Sequence, residues 1–318
     1  MTARAGPASI AAMRCAYLSH ADCALHSMGE RHPESPARIG AVDAGLRHAG
    51  LTARLQRHDA PSVSREQLLR VHEGRYLDGL ELAQPREGTH RLDPDTALGP
   101  RSLDAARRAA GAVVRAVDLV LGGEATTAFC AVRPPGHHAR RSAAMGFCIY
   151  GNVAVGVAHA LAAHGLKRVA VVDFDVHHGN GTEEMFRNDA RVLLADSFQH
   201  PYYPHAGSQP RPGFVPMPLA AGSDGKAFRD AWLRDGLPAL RAFQPELVFF
   251  SAGFDAHRDD PLAQLQLDAD DYRWLTREVD TVATVAARGR MVSALEGGYG
   301  LDAIGRAAGA HVGILADG

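Results

Sequence analysis

Residues 169–181 of the chain read VAVVDFDVHHGNG, and this stretch decides the fold. Its first half is apolar and rich in β-branched residues, which is typical of a buried strand in a parallel sheet. Asp173, Asp175 and His177 follow at alternate positions, and alternate side chains of an extended segment share one side. Ligands of open α/β sheets bind just past the carboxyl ends of the strands. The stretch therefore predicts a metal site, with a surface turn or a carboxylate that orients a histidine as the simpler alternatives.

The composition excludes several classes of protein. The chain has 318 residues, of which 46% are hydrophobic, and its formal net charge is −2. It therefore has no overall basic field that would attract nucleic acid or an anionic membrane. No apolar run approaches the roughly 20 residues of a membrane span. The four cysteines show no CxxC spacing and no secretion signal precedes them, so we expect reduced thiols and a cytoplasmic location.

The first residues differ from the rest of the chain. Residues 1–12 are small, polar and irregular, and they lack the apolar core of a signal peptide. We interpret residues 1–13 as a disordered extension, with Met13 as an alternative start to Met1. Residues 14–318 are predicted to form one domain, because the sequence shows no linker and no internal repeat.

Segments of strand pattern alternate with segments of helix pattern along the chain. Seven strands are predicted, at residues 15–18, 51–58, 128–132, 169–175, 192–195, 246–251 and 291–295. Three long polar loops, at residues 20–35, 84–100 and 196–218, are expected to form the rim of a site. The alternation predicts a single-domain α/β fold, with a mostly parallel sheet, helices on both of its faces and an active site at the carboxyl ends of the strands.

Reactive side chains follow three further predicted strands. The pair His137–His138 comes after the strand at 128–132, Asp255 comes after the strand at 246–251, and Tyr299 follows the last strand. The carboxyl ends of parallel strands meet at one edge of the sheet, so we expect these side chains to converge on Asp175 and His177. For any one of them alone, a helix cap, a satisfied core histidine or a loop aromatic would be the simpler interpretation.

The converging residues indicate metal-assisted hydrolysis. Asp175, His177 and Asp255 would supply three ligands and leave a position open for water or substrate. Zn²⁺ fits this set, and Fe²⁺, Co²⁺ or Mn²⁺ would also be accepted. The two histidines could carry out acid–base chemistry, and Tyr299 could donate a hydrogen bond to a developing oxyanion. No serine or cysteine has the surroundings of a covalent nucleophile.

Taken together, the motifs resemble the histone deacetylase family, which comprises zinc-dependent deacetylases of the arginase/deacetylase fold. The matching segments run in family order over nearly the whole chain, at residues 32–38, 133–138, 146–148, 172–182, 251–255 and 295–299. Asn180 and the LEGGY form of residues 295–299 resemble the class II branch, which includes bacterial deacetylase-like amidohydrolases.

The resemblance implies a role for each matching residue. Zinc would be bound by Asp175, His177 and Asp255. His138 would be the general base and then the acid, with His137 as its electrostatic partner. Asp173 would orient His137, and Asn180 would orient His138. Tyr299 would polarise the substrate carbonyl. The acyl-lysine tunnel would be lined by Gly146, Phe147, Tyr203, Leu262 and Gly298, and Arg38 would lie in the internal channel below the zinc.

The resemblance also implies structural K⁺ ions. One site would use main-chain oxygens of Asp173, Asp175 and His177. A second would lie near Phe186, Asp189 and Val192. The family usually has serine at the first site, where this chain has Asp196, followed by Ser197.

The implied substrate is an acylated lysine or a similar small amide. Polyamine-selective relatives carry an acidic residue at the tunnel mouth, where this chain has Leu262, which favours uncharged aliphatic amides. Asp259 and Asp260 lie nearby and weaken that argument. Acetylpolyamine deacetylation is the alternative reaction, and a homo-oligomer is possible. A non-catalytic acyl-binding protein would be expected to lack a zinc ligand, a tandem histidine or Tyr299, and all of these are present.

Overall fold

The computed structural model describes residues 15–317. The predicted extension at residues 1–13 and the alternative start at Met13 lie outside these residues. Ten strands run through the described part: β1 (Cys15–Ser19), β2 (Leu55–Asp59), β3 (His90–Arg91), β4 (Ala97–Leu98), β5 (Thr127–Cys130), β6 (Val169–Asp173), β7 (Val192–Gln199), β8 (Phe214–Leu219), β9 (Leu247–Ala252) and β10 (Met291–Leu295).

Eight of these strands form one sheet in the order β2-β1-β5-β10-β9-β6-β7-β8, and all of its pairings are parallel. The two-residue strands β3 and β4 form a separate antiparallel pair. The central position of β6, β9 and β10 follows from their apolar sequences, because strands buried on both faces lack the alternation of half-exposed ones. The predicted parallel sheet is confirmed.

Helices connect and cover the strands. They are α1 (Ala37–His48), α2 (Arg65–Leu69), α3 (Gly74–Ala83), α4 (Ser102–Leu121), α5 (Asn152–Ala163), α6 (Asn180–Phe186), α7 (Gly225–Ala231), α8 (Leu237–Phe243), α9 (Ala269–Ala286) and α10 (Leu301–Asp317). A π-helical turn, Trp232–Gly236, joins α7 to α8. No helix within residues 15–317 is long and apolar enough to cross a membrane.

The alternation of side chains along β6 divides the core between the two faces of the sheet. Val169 and Val171 belong to a cluster with residues of α4 and α5, such as Val113 and Val157. Ala170 and Val172 belong to the opposite cluster, which contains residues of α1, α9 and α10. Both faces of the sheet are therefore covered, as predicted, and the carboxyl ends of the strands remain open to the loops that follow them.

The prediction of one long loop at residues 196–218 is wrong. β7 continues to Gln199, and residues 214–219 form β8 at the edge of the sheet, with Asp196 opposite Pro216 and Phe198 opposite Pro218. Proline cannot donate a main-chain hydrogen bond, so its presence argues against a central strand but permits an edge strand. Only residues 200–213 of this segment form the connection over the site.

Candidate active site

The end of β6 is shaped by its own aspartates. The strand stops at Asp173, two residues earlier than predicted. Asp173 Oδ1 accepts the N–H of Asp175 at 3.2 Å, and Asp175 Oδ1 accepts the N–H of His177 at 2.9 Å. Aspartate commonly closes a turn by accepting an N–H two residues further on. The alternation of polar residues therefore builds a turn at the strand end, and this turn gathers the ionisable groups.

Asp175, His177 and Asp255 converge on one point beneath this turn. His177 Nδ1 lies 2.9 Å from Asp175 Oδ1 and 3.2 Å from Asp255 Oδ2. Both carboxylates are fully buried. Asp255 Oδ2 has no hydrogen-bond partner, although Asp255 Oδ1 accepts the N–H of Val176 at 2.9 Å. Two buried carboxylate oxygens beside one imidazole nitrogen, one of them unpartnered, fit a divalent cation.

A second group of metal-ligand type lies outside this edge. Asp118 Oδ1 is 2.8 Å from both His159 Nε2 and His164 Nε2. The guanidinium of Arg70 donates to His159 Nδ1 at 2.9 Å, so His159 Nε2 must carry the proton that Asp118 accepts. That tautomer makes the group a hydrogen-bonded cluster between α4 and α5 and leaves no lone pair at His159 Nε2 for a metal.

The paired histidines lie beside the first cluster, and each is bonded to a different partner. His137 Nδ1 is 3.1 Å from Asp173 Oδ2, and His138 Nδ1 is 2.8 Å from Asn180 Oδ1. The two rings are stacked at a tilt, 4.0 Å between centroids. The Asn180 amide nitrogen faces Met145 Sδ, so its oxygen faces His138. His138 therefore holds its proton on Nδ1 and presents an unprotonated Nε2.

The two histidines differ in pKa because their neighbours differ in charge. Burial lowers the pKa of both, but at His137 the carboxylates of Asp175 and Asp173 outweigh burial and raise the pKa well above its ordinary value. At His138, burial and the neighbouring imidazoles of His137 and His177 hold the pKa well below its ordinary value. His138 therefore stays neutral, which is the state that a general base needs, and a proton is shared between His137 and Asp173.

Tyr299 follows the end of β10, and its ring lies between an aromatic ring and a guanidinium group. Its ring is 5.7 Å from that of Phe147, and the guanidinium of Arg38 is 4.9 Å from its centroid. Burial raises the pKa of Tyr299 well above its ordinary value, so the phenol stays protonated as a hydrogen-bond donor. Arg38 Nε also donates at 2.6 Å to the carbonyl of Gly298, a residue with φ of +111°.

Gly146 and Phe147 lie next to the histidine pair. Both residues have positive φ, at +56° and +70°. A Cβ on Gly146 would lie 2.4 Å from the ring of His138, so only glycine fits at that position. The carbonyl of Gly146 faces Cys148 Sγ at 3.3 Å. The strained turn therefore brings the Phe147 ring to the site while leaving room for His138.

The loop after β7 supplies two aromatic side chains that pack against histidines of the site. The ring of Tyr203 packs edge-on against His138 at 5.2 Å, and its buried hydroxyl has no partner. The ring of Tyr202 stacks on His177 at 5.4 Å, and its hydroxyl donates to the carbonyl of Leu262. Tyr202 thus contacts a predicted ligand and a predicted tunnel residue, although no role was predicted for it from the sequence.

Two buried glutamates of the site, Glu34 and Glu296, were not predicted from the sequence. Glu34 binds Arg133 through both of its oxygens and Arg38 at 3.1 Å. Glu296 Oε2 accepts the N–H of Gly136 at 2.5 Å and that of His137 at 3.1 Å. Both glutamates lie in segments that match the family motifs. A charged residue directly after an apolar strand was the available signal for Glu296.

The predicted potassium residues fall into two places. Asp196 lies opposite Asp173 across β6 and β7, and its Oδ2 accepts from His178 Nδ1 at 2.6 Å and from the N–H of Gly179 at 3.1 Å. Asp196 Oδ1 and Ser197 Oγ are buried and unpartnered. At the second place, the carbonyls of Phe186 and Asp189 accept the N–H groups of Asp189 and Val192, each at 3.0 Å.

Comparisons with known proteins identify the same family. The family model of the histone deacetylase domain matches residues 32–315. A histone deacetylase-like amidohydrolase of Pseudomonas aeruginosa is 42% identical over 276 residues, which are 84% of this chain and 72% of that protein. The mouse polyamine deacetylase HDAC10 is 37% identical over 85% of this chain and 43% of its own length. The crystal structure of the HDA15 HD domain superposes with a TM-score of 0.89 at 33% identity, covering 96% of this chain and 90% of that one.

Proposed function

Because the chain belongs to the histone deacetylase family and shares its arginase/deacetylase fold, we propose that it removes acetyl or other short acyl groups from acyl-lysine with the help of a bound zinc ion. Family membership establishes a hydrolase that acts on amides. The observation that carries the finer proposal is the buried, unpartnered Asp255 Oδ2 beside Asp175 and His177, next to a histidine held neutral.

The proposed ligands are Asp175, His177 and Asp255. When bound there, a divalent metal would polarise the amide carbonyl and make a water more acidic. Zn²⁺ is the proposed ion, and the oxygen-rich ligand set would also accept Fe²⁺ or Co²⁺.

The remaining chemistry belongs to side chains of the site. His138 Nε2 would take the proton of the attacking water and later deliver it to the leaving amine. Asn180 would hold the tautomer that this step requires, and His137, which shares a proton with Asp173, would stabilise the negative charge that develops. The phenol of Tyr299 would donate to the carbonyl oxygen as it becomes an oxyanion.

The proposed substrate is an acylated lysine rather than a polyamine. Leu262 is partly buried at the predicted tunnel mouth. Both of its acidic neighbours already have partners, since Asp259 forms a surface ion pair with Arg306 and the carboxylate of Asp260 accepts three main-chain N–H groups. These contacts support the proposal of an uncharged mouth.

Acetylpolyamine deacetylation is the second candidate, and one observation favours it. The exposed Asp95 lines a cavity of about 310 Å³ together with Phe147 and His32. A carboxylate beside the proposed tunnel wall could attract a cationic substrate. The mouse relative that is named a polyamine deacetylase is 37% identical to this chain.

Further features are proposed from the family resemblance. A structural K⁺ would use the main-chain oxygens of Asp173, Asp175 and His177, and the unpartnered Asp196 Oδ1 and Ser197 Oγ support this site. A second K⁺ would lie near Phe186, Asp189 and Val192. We also propose a cytoplasmic location, which agrees with four buried, unpaired cysteines.

The test compares turnover of a fluorogenic acetyl-lysine peptide with that of N-acetylated polyamines, on zinc-loaded and chelator-stripped protein. We expect metal-dependent release of acetate from the lysine peptide. Preferential turnover of the polyamines would replace the proposed substrate and keep the reaction. Zinc-loaded protein that hydrolyses neither amide would contradict the proposal.

A further inference from the structure

Asp260 is a buried carboxylate that accepts three main-chain hydrogen bonds. Its Oδ2 accepts the N–H of Tyr299 at 2.6 Å and that of Gly300 at 3.0 Å, and its Oδ1 accepts the N–H of Leu262 at 3.0 Å. The residue is 7% exposed. The two oxygens therefore accept hydrogen bonds from the main chain of two segments that are about 40 residues apart in sequence.

Hydrogen bonds, and not an ion pair, stabilise the carboxylate of Asp260. Among residues 15–317, no cationic side chain forms an ion pair with it. Its neighbour Asp259, in contrast, pairs with Arg306 at the surface. A buried carboxylate is costly unless hydrogen bonds replace its hydration. The three N–H groups supply those bonds, so the carboxylate and the turn that surrounds it stabilise one another.

The hydrogen bonds connect two parts of the proposed site. Leu262 follows the segment that begins with Asp255 at the end of β9, and Tyr299 lies in the turn after β10. The carbonyl of Leu262 also accepts the hydroxyl of Tyr202, so the main chain of Leu262 is held on both sides. The carbonyl of Asp259 lies so near Gly300 that a Cβ there would approach it to 2.7 Å. The two segments therefore contact one another directly, with Asp260 between them.

We propose that Asp260 is a positioning residue, which fixes the main chain of Tyr299 so that the phenol lies where the substrate carbonyl develops its negative charge. This inference rests on the proposed function, in which Tyr299 is the donor. Asp260 does not touch the reacting atoms. Its effect is transmitted through the N–H groups of Tyr299 and Gly300, and the same carboxylate sets the main chain of Leu262.

Asp260→Asn is the discriminating variant, because it keeps the size of the side chain and replaces one acceptor oxygen with an NH₂ group. That group would face either the N–H of Leu262 or those of Tyr299 and Gly300, donor against donor, and the contact between the two segments would shift. A misplaced catalytic group can cost up to about 10²-fold in rate. We therefore expect kcat on the acetyl-lysine peptide to fall by about 10- to 10²-fold, with the zinc content unchanged.

The test is a double-mutant cycle with Tyr299→Phe, and Asp259→Asn serves as the matched control. If Asp260 acts through the phenol, Asp260→Asn should cost less than about twofold once the phenol is absent, since coupled sites are not additive. The proposal would be overturned if Asp260→Asn lowered kcat by the same factor with and without the Tyr299 phenol, or if it left kcat unchanged in the wild-type background. Should Asp260→Asn not fold, Asp260→Ser, which keeps one acceptor, enters the same cycle.

Amide hydrogen exchange of residues 297–302 keeps this inference separate from the proposed function. We expect the amides of Tyr299 and Gly300 to exchange at least about tenfold faster in Asp260→Ala than in Asp259→Ala, because alanine offers neither amide an acceptor. Wild-type protein that does not hydrolyse acetyl-lysine would refute the proposed function, whatever the exchange result. Unchanged exchange at both amides would refute the positioning role even in an active enzyme.

Discussion

The main-chain N–H of Gly297 donates to Asp175 Oδ2 at 2.8 Å, and this bond joins the turn that carries Tyr299 to the turn that follows β6. The approach is so close that a Cβ on Gly297 would lie 2.1 Å from Asp255 Oδ2. Three strand ends, those of β6, β9 and β10, therefore meet at one glycine. The site is formed where these strand ends contact one another. A substitution at one strand end should therefore alter the geometry at the other two.

Replacement of Asp255 by alanine should abolish metal binding, because it removes one of three proposed ligands together with the unpartnered oxygen. The measurement is zinc content by mass spectrometry after dialysis against a zinc buffer. Asp259→Ala is the control, since it removes a neighbouring carboxylate that pairs with Arg306 at the surface. Full zinc occupancy in Asp255→Ala would show that the ligand set is wrong.

Tyr299→Phe should reduce turnover of the acetyl-lysine peptide by about 10²-fold or more at constant zinc content, because one oxyanion donor contributes an effect of that order. Tyr17→Phe is the matched control. It removes a tyrosine hydroxyl that binds Asp43. If Tyr299→Phe kept wild-type turnover, the phenol would have no part in the mechanism.

Asn180→Asp should shift the acidic limb of the pH–rate profile of kcat/KM to higher pH. A carboxylate at Asn180 would stabilise the imidazolium form of His138 and raise its pKa, and the base is active only when unprotonated. A charge at hydrogen-bond distance moves a pKa by about one unit or more. Asn188→Asp, which adds the same charge at an exposed position after α6, should leave the profile unchanged. An unshifted limb in Asn180→Asp would argue against His138 as the base.

Glu34 should make the folded state sensitive to acid. Burial opposes its ionisation, but the charges of Arg133, His26 and Arg38 outweigh burial and lower the pKa of Glu34 from 4.5 to about 2. Above pH 4.5, the lowered pKa of Glu34 contributes roughly 3 kcal/mol to the free energy of unfolding. This contribution is lost as the pH falls towards 2. In the wild type, the free energy of unfolding measured with urea should therefore decrease with a clear slope between pH 5 and pH 2.

Glu34→Gln should flatten that slope, because glutamine does not titrate. It should also lower the free energy of unfolding at neutral pH, since Arg133 and Arg38 would lose their buried partner. The exposed Glu30→Gln is the control and should keep the wild-type slope. An unchanged slope in Glu34→Gln would mean that other carboxyl groups cause the acid sensitivity.

Two glycines of α1 should respond oppositely to alanine. At Gly45, a Cβ would lie 1.9 Å from the carbonyl oxygen of Gly305 in α10, whereas nothing lies within 4 Å of a Cβ at Gly40. Gly45→Ala should therefore destabilise the protein by about 1–3 kcal/mol through overpacking. Gly40→Ala should stabilise it by up to about 1 kcal/mol through helix propensity. Equal effects in thermal unfolding would contradict the close helix contact.

Much of the fold was predictable, because β-branched apolar runs and helical periodicity are local signals. The strands at 169–173, 247–252 and 291–295 lie within two residues of their predicted bounds. β8 was not predictable in the same way. Its prolines are disfavoured in a strand, and only the pairing with β7 on one side makes them acceptable.

The candidate site was predictable wherever a reactive side chain directly follows a strand. The contacts of Asp173 with His137 and of Asn180 with His138 are those that the predicted orienting roles require, and the roles themselves stay predictions. Glu296 was missed although it directly follows β10. Asp260 was given no role, because its partners include main-chain N–H groups of a distant segment. No sequence pattern reports such a bond.

The sequence by itself determined the parallel α/β fold, the family and the types of side chain that reach one edge of the sheet, since these follow from local hydrophobic pattern and from motifs. Only the tertiary structure decided which of these groups are charged and what holds them in place. A pKa depends on burial and on neighbours brought from other strands, as in the opposite shifts of His137 and His138. Those neighbours become close only when β6, β9 and β10 lie side by side.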